Sequence, residues 1–226
     1  MSNYKTVFFI LGVLQIILGL SMIVPIMAQF YYNQVDSGFI GSGLVSIIFG
    51  VLFFLSNLDY EKKLTLPQAF LLTALSWLSI AIFGSLPFVF SDLSLSFTNA
   101  FFESMSGITT TGSTILTNLN ETPKAILLWR AMLQWLGGIG IIVMAITLMP
   151  IMNIGGMQLF VISNTHTPEK ILPKSKEISI RLIAIYSSLT LVCAFFYKIF
   201  GMSFFDSIVH SMTCLLYTSD AADEST

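Results

Sequence analysis

The chain has 226 residues, of which 55% are hydrophobic and 10% charged, with a mean hydropathy of +0.84. Soluble domains carry about 25% charged residues, so there is too little polar surface here to cover a water-exposed globule, and the composition is that of a membrane protein. A formal net charge of −2, from 10 Lys and Arg against 12 Asp and Glu, excludes a basic nucleic-acid binder, and Cys193 and Cys214 supply neither a disulfide framework nor a metal-ligand spacing.

Charge-free runs place the helices. The first span, 7–28, lies between Lys5 and Asp36 and is long enough to cross about 30 Å of hydrocarbon. It is too long for a signal peptide and ends without a small-residue cleavage site, so an uncleaved helix is expected. The second span is 39–58, between Asp36 and Asp59. The third is 68–90, with Pro67 suited to its first turn, and the fourth is 124–152, opened by Pro123 and closed near Pro150. The fifth is 180–200. With the loops counted alternately, Lys5, Lys62, Lys63, Lys170, Lys174, Lys176 and Arg181 fall on one side, and only Lys124 and Lys198 on the other. That asymmetry places the N-terminus in the cytoplasm.

Residues 93–121 break the pattern. A short apolar segment, 97–107, is followed by Ile108, Thr109, Thr110, Thr111, Gly112, Ser113 and Thr114. Eleven helical residues rise about 16 Å, half a bilayer, so a re-entrant pore segment between two full spans is expected. The alternative is an extracellular loop with a surface helix, which would leave Phe97, Phe101, Phe102, Met105 and Ile108 exposed. Non-helical backbone at membrane depth persists only where protein buries it or where it lines a watery cavity. Carbonyls facing such a cavity can replace the water around a cation. Thr109, Thr110 and Thr111 suit an extended segment and can add hydroxyl oxygens. Gly112 can take a positive φ, turning carbonyls inward, and the preceding helix would aim its negative end at the ion path.

Residues 101–112, FFESMSGITTTG, resemble the first pore loop of the TrkH-type potassium uptake proteins of the Trk/Ktr/HKT superfamily. Residues 129–140, WRAMLQWLGGIG, resemble that family's following helix, and 155–160, GGMQLF, resemble the segment after it. The resemblance covers about residues 1–213. It implies an all-α multi-pass membrane protein of the bacterial inner membrane, with four helix–pore loop–helix repeats around one ion path and two extra leading helices. It also implies inward K+ transport, a homodimer, and gating by a cytoplasmic nucleotide-binding ring protein. Membrane lipid is the other partner, nucleic acid is not one, and neither an enzyme nor an organic cofactor is implied. Matched by position, the filter would comprise Thr109, Thr110, Thr111, Gly112 and Ser113, with Thr110 and Thr111 as the foremost K+ ligands. The segment 153–177 departs from the family pattern.

The corresponding organisation is 1–60, two leading helices; 61–152, one complete repeat; 153–177, a cytoplasmic linker; and 178–213, a truncated second repeat. Residues 99–106 align with 206–213 at an offset of 107, with Ser104/Ser211 and Met105/Met212 identical. The same offset puts a second filter at 216–219, where the chain lacks glycine. Residues 214–224, CLLYTSDAADE, look like a translated sequencing adapter, so 214–226 is expected to be a non-native tail on a polypeptide that does not conduct alone; a genuine acidic tail is the alternative. Three of the twelve acids lie there, leaving nine against ten bases in 1–213, a net +1.

Arg130 lies inside the fourth span. It either pairs with Glu103, bracing the pore helix, or snorkels outward, or acts on the ion directly. His210 occupies the slot of Glu103 in the second repeat and is expected to brace it. Gly137, Gly138 and Gly140 permit close helix packing or a moving gate. Trp77, Trp129 and Trp135 are expected to face lipid or pack in the core, and His166 is expected to be a solvated loop residue. Lys170, Lys174 and Lys176 mark the inner side or contact anionic lipid or a regulatory partner. An alternating-access transporter with a broken solute-binding helix is the competing function, and it predicts no dependence on Gly112. A hydrolase using Ser113 and His210 lacks the motifs such chemistry needs.

Overall fold

The computed structural model describes residues 4–34, 36–60, 65–93, 95–117, 119, 121–152 and 171–214, with side chains omitted at 145–152 and 171–176. All regular structure in these residues is helical: α1 Lys5–Ser21, α2 Ile23–Tyr31, α3 Gly38–Ser56, α4 Leu66–Phe90, α5 Phe97–Ile108, α6 Lys124–Met152, α7 Ile171–Ile199 and α8 Phe204–Cys214. Among the described residues, five segments are long and apolar enough to cross a membrane: Lys5–Tyr31, Gly38–Ser56, Leu66–Phe90, Lys124–Met144 and Glu177–Ile199. These correspond to the five charge-free runs. The chain divides into two compact units, Met1–Trp135 and Leu136–Thr226.

The first span comprises two helices, α1 and α2. It breaks at Met22, whose N–H donates to the Gly19 carbonyl at 3.3 Å, one residue short of the α-helical partner. Pro25 lacks the N–H that Ser21 would otherwise accept, and the Ser21 hydroxyl turns back to the Leu18 carbonyl at 2.6 Å. The following helix, α3, lies directly on α1. A Cβ built on Gly12 would come within 2.6 Å of Phe54 N and 2.7 Å of Gly50 O, and one on Gly50 within 2.8 Å of Ile16 N. Glycine is therefore required for these two backbones to touch, the close approach that substitutes for the hydrophobic effect between helices in lipid. Phe9 stacks on Tyr60, with centroids 4.0 Å apart, and Phe8 meets Phe53 at the same end of the seam.

Helix α4 starts at Leu66, two residues before the expected 68. Gln68 Oε1 accepts from Thr65 N at 2.9 Å in a capping box, and Pro67 occupies the first turn. Gln15 Nε2 donates to Ser79 Oγ at 2.5 Å, a polar link from α1 to α4 within the apolar bundle. Helix α5 is short, 12 residues and about 18 Å, and opens on Ser96, whose hydroxyl accepts from Asn99 N at 3.3 Å. It packs against α4 and the first part of α6. Of the five apolar residues that a surface helix would expose, Phe97 and Phe102 are exposed, Phe101 and Met105 are half-buried, and Ile108 is buried.

In the second unit α7 begins at Ile171, nine residues before the expected start of the fifth span, and its apolar portion is Glu177–Ile199. The early part carries Lys174, Lys176, Glu177 and Arg181. Charge alone had placed the boundary at 180, but a helix can continue into water, as the exposed i,i+4 pair Glu177–Arg181 illustrates. Helix α8 follows a short turn and packs on α7 through Phe205, Ser207 and Ser211. The helix of the fourth span, α6, is continuous through Gly137, Gly138 and Gly140. Residues 153–170 of the expected linker, His166 and Lys170 among them, and 215–226 of the expected tail lie outside the described residues.

Candidate ion site at the end of α5

The site is built from the way α5 stops. Thr111 N donates to Ser106 O at 3.0 Å and Thr110 N to Gly107 O at 2.9 Å, the paired 6→1 and 5→2 bonds of a Schellman turn. The turn requires a left-handed residue at its C′ position, and Thr110 fills it with φ +60°. Two other helices end in the same turn. Asn33 (φ 54°) closes α2 and Gly201 (φ 99°) closes α7, each with the matching bond pair. Asn and Gly are ordinary at C′, whereas a β-branched residue there is strained by roughly 1–3 kcal/mol. The expected extended run of threonines is accordingly not extended at its start. Thr109 is near-helical (φ −79°, ψ 0°) and Thr110 is left-handed, because the helix end has to be closed before the chain can leave it. Gly112, at φ +80°, has the positive φ expected of it.

Hydrogen-bond bookkeeping then separates the carbonyls. The Gly112 carbonyl accepts from Arg130 Nη2 at 2.8 Å, and the Ser113 carbonyl accepts from Ser106 Oγ at 2.6 Å. Among the described residues, no hydrogen bond reaches the carbonyls of Ile108, Thr109, Thr110 or Thr111. The hydroxyls separate likewise. Thr109 Oγ1 gives its one proton to Met105 O at 2.8 Å, so the 2.9 Å contact with Thr111 Oγ1 must be donated by Thr111. The lone pairs of Thr111 Oγ1 remain open.

Behind this turn is a buried ion pair. Glu103, fully buried on α5, accepts from Thr114 Oγ1 at 2.5 Å and Ile115 N at 2.6 Å on one oxygen, and from Arg130 Nε at 3.0 Å on the other. Arg130 therefore points inward, with its side chain 16% exposed, and spans from Glu103 to Gly112. A carboxylate with three donors and a guanidinium with two acceptors are compensated for their desolvation. Removing either partner strands the other at a cost of about 3–5 kcal/mol. Helix α6 is held to α4 in the same region, since Trp129 Nε1 donates to Gly84 O at 2.9 Å and Leu133 packs over Gly84 and Gly107.

The structure thus brings Glu103, Arg130, Thr109, Thr110, Thr111, Gly112 and Ser113 together. His210 is in the second unit. It is exposed, its Nδ1 lies 2.9 Å from Asp206 O on its own helix, and its ring meets Tyr197 edge-on at 6.5 Å. Two residues of the site were not singled out from sequence, Ser106 and Thr114. Each is one of many small hydroxyl residues in this stretch, and nothing in spacing distinguishes the ones whose oxygens reach the turn.

Five apolar spans, glycine-mediated helix contact and a short helix packed between two long ones define a multi-pass α-helical membrane protein. The family model TrkH, described as a cation transport protein, matches residues 35–215. The chain belongs to the TrkH family, whose members are transport proteins and not enzymes. It is 39% identical over 207 residues to the Trk system potassium uptake protein TrkI of Halomonas elongata, covering 91% of this chain and 42% of that protein. It is 37% identical over 217 residues to the Trk system potassium uptake protein TrkH of Escherichia coli K12, covering 94% and 45%. The crystal structure of the potassium transporter TrkH from Vibrio parahaemolyticus matches with a TM-score of 0.82 at 35% identity, over 93% of this chain and 42% of that one. The chain spans less than half the length of these relatives.

Proposed function

We propose that this chain is part of the membrane-spanning subunit of a potassium uptake system, and that residues 109–113 contribute one wall of a K+ filter. The observation that carries this reading is the set of consecutive carbonyls, Thr109 to Thr111, that no hydrogen bond reaches among the described residues, at the C-terminal end of a short packed helix. Backbone oxygens that no described protein donor occupies are free to replace a cation's hydration shell. Thr110 and Thr111 are the foremost ligands, with Thr109, Gly112 and Ser113 completing the segment. Glu103 and Arg130 brace it from behind.

On this reading 1–60 form the leading helices and 61–152 the first repeat, while 178–213 begin a second. The intact transporter is a homodimer in the bacterial inner membrane with a cytoplasmic N-terminus, and a nucleotide-binding ring protein regulates it. One complete pore loop cannot surround an ion, so the 226-residue chain alone does not conduct. The test is K+ and Na+ flux through the full-length transporter with Gly112→Ala and Gly112→Ser. Both put a Cβ on a residue at φ +80°, and both are expected to reduce K+ over Na+ discrimination. Unchanged selectivity would remove the filter assignment and favour an alternating-access mechanism.

A further inference from the structure

The second half of the candidate filter is tied to one residue of the helix that precedes it. The backbone carbonyl of Ser106 accepts from Thr111 N at 3.0 Å and from Gly112 N at 3.4 Å, while its hydroxyl donates to Ser113 O at 2.6 Å. Residues 111, 112 and 113 are thus each bonded to Ser106, which is itself 7% exposed and held in the last turn of α5. Arg130 adds the fourth tie, from Nη2 to Gly112 O. A carbonyl that already accepts from a guanidinium has a positive charge beside it, which opposes a cation at its other lone pair. The Ser113 carbonyl is turned toward α5. Thr109, Thr110 and Thr111 have neither restraint on their carbonyls.

We propose that Ser106 is a positioning residue of this site. By fixing residues 111–113 to the end of α5, it withdraws the Ser113 carbonyl, as Arg130 withdraws that of Gly112, and leaves Thr109–Thr111 as the oxygen set offered to a monovalent cation. This inference rests on the filter reading and goes further, by dividing the segment into a coordinating part and an anchoring part. It also accounts for the left-handed Thr110. A residue bonded through its N–H to Gly107 and followed by three residues anchored on Ser106 has no freedom to relax to negative φ. The offset of 107 that relates the two repeats puts another hydroxyl residue, Thr213, at the corresponding position.

The test compares Ser106→Ala with Ser106→Thr in the full-length transporter, reading the K+/Na+ uptake ratio and the apparent K+ affinity. Ser106→Ala is expected to lower the ratio about tenfold, the change that one lost hydrogen bond of ordinary strength produces. Ser106→Thr, which keeps the hydroxyl, is expected to hold it near wild type. An unchanged ratio and affinity in Ser106→Ala overturns the inference. If Gly112→Ala is also without effect, the filter reading falls with it; if Gly112→Ala does change selectivity, only the role of Ser106 falls. An independent readout uses the 226-residue chain in lipid nanodiscs, with an isotope label on the Ser113 carbonyl. Loss of the Ser106 hydroxyl is expected to shift that carbonyl's infrared band to higher frequency, and a band that stays in place overturns the proposal without reference to transport.

Discussion

At the scale of single residues, the informative contrast is between three helix ends closed by the same turn with different C′ residues. Asn33 and Gly201 tolerate left-handed backbone; Thr110 does not, and it is the one at the candidate ion site. Strain of this kind persists only where surrounding contacts over-determine it. Thr110→Gly is therefore expected to stabilise the 226-residue chain by about 1 kcal/mol, since relief of left-handed strain exceeds the added flexibility of the unfolded chain. Gly201→Thr, the reverse change in the same turn, is expected to destabilise by about 1–2 kcal/mol. Denaturation of the two variants in mixed micelles decides it. Equal responses at the two sites would show that Thr110 is not strained. The sequence identified the Thr-Thr-Thr-Gly stretch and assigned the positive φ to Gly112, where glycine announces it. It had no means of finding the same sign at Thr110, because the helix end sets that conformation against the residue's own preference.

At the scale of elements, helix boundaries were legible to within a few residues wherever chemistry marks them. Pro67 marks the start of α4 in the sequence, and the structure adds the Thr65–Gln68 box there and the Ser96 cap of α5. The break at Met22 was less legible, although Pro25 is its visible cause. Pairing between helices followed from contact geometry. Gly12 and Gly50 can be seen as glycines in apolar runs, but only the structure shows that they face each other across α1 and α3 at backbone distance. Gly50→Ala is expected to push these helices apart and destabilise the chain by about 1–3 kcal/mol, since the added Cβ meets backbone atoms of both Ile16 and Gly12 besides the Ile16 side chain, and backbone cannot turn away. Gly41→Ala on the same helix has nothing within 4 Å of the added Cβ and is expected to be neutral or slightly stabilising. Parallel unfolding curves for the two variants check the comparison, and equal effects would mean that the seam is not closely packed.

At the scale of the whole molecule, the relatives are more than twice as long as this chain, and on the proposed reading its one complete pore loop would form one wall of a site that needs more. Expressed alone, the 226-residue chain is expected to leave a strain deficient in K+ uptake unable to grow at low K+. Growth restored by this chain would overturn the four-loop reading. The sequence by itself determined that the protein lies in a membrane, how many apolar spans it has, and that a half-length helix with a Thr/Gly run interrupts them. Hydropathy and charge carry those facts because lipid tolerates so few alternatives. It also marked Glu103 and Arg130 as groups needing compensation, while leaving open whether Arg130 turned inward or out. Tertiary structure alone decided that they meet, and that Arg130 continues to the Gly112 carbonyl. It alone separated the carbonyls held by Arg130 and Ser106 from those left open. Glu103 and Arg130 are separated by 27 positions in the chain, and their encounter depends on how α5 and α6 pack. Composition and periodicity record which groups a chain has to bury; which partner each one reaches is fixed when the helices come together.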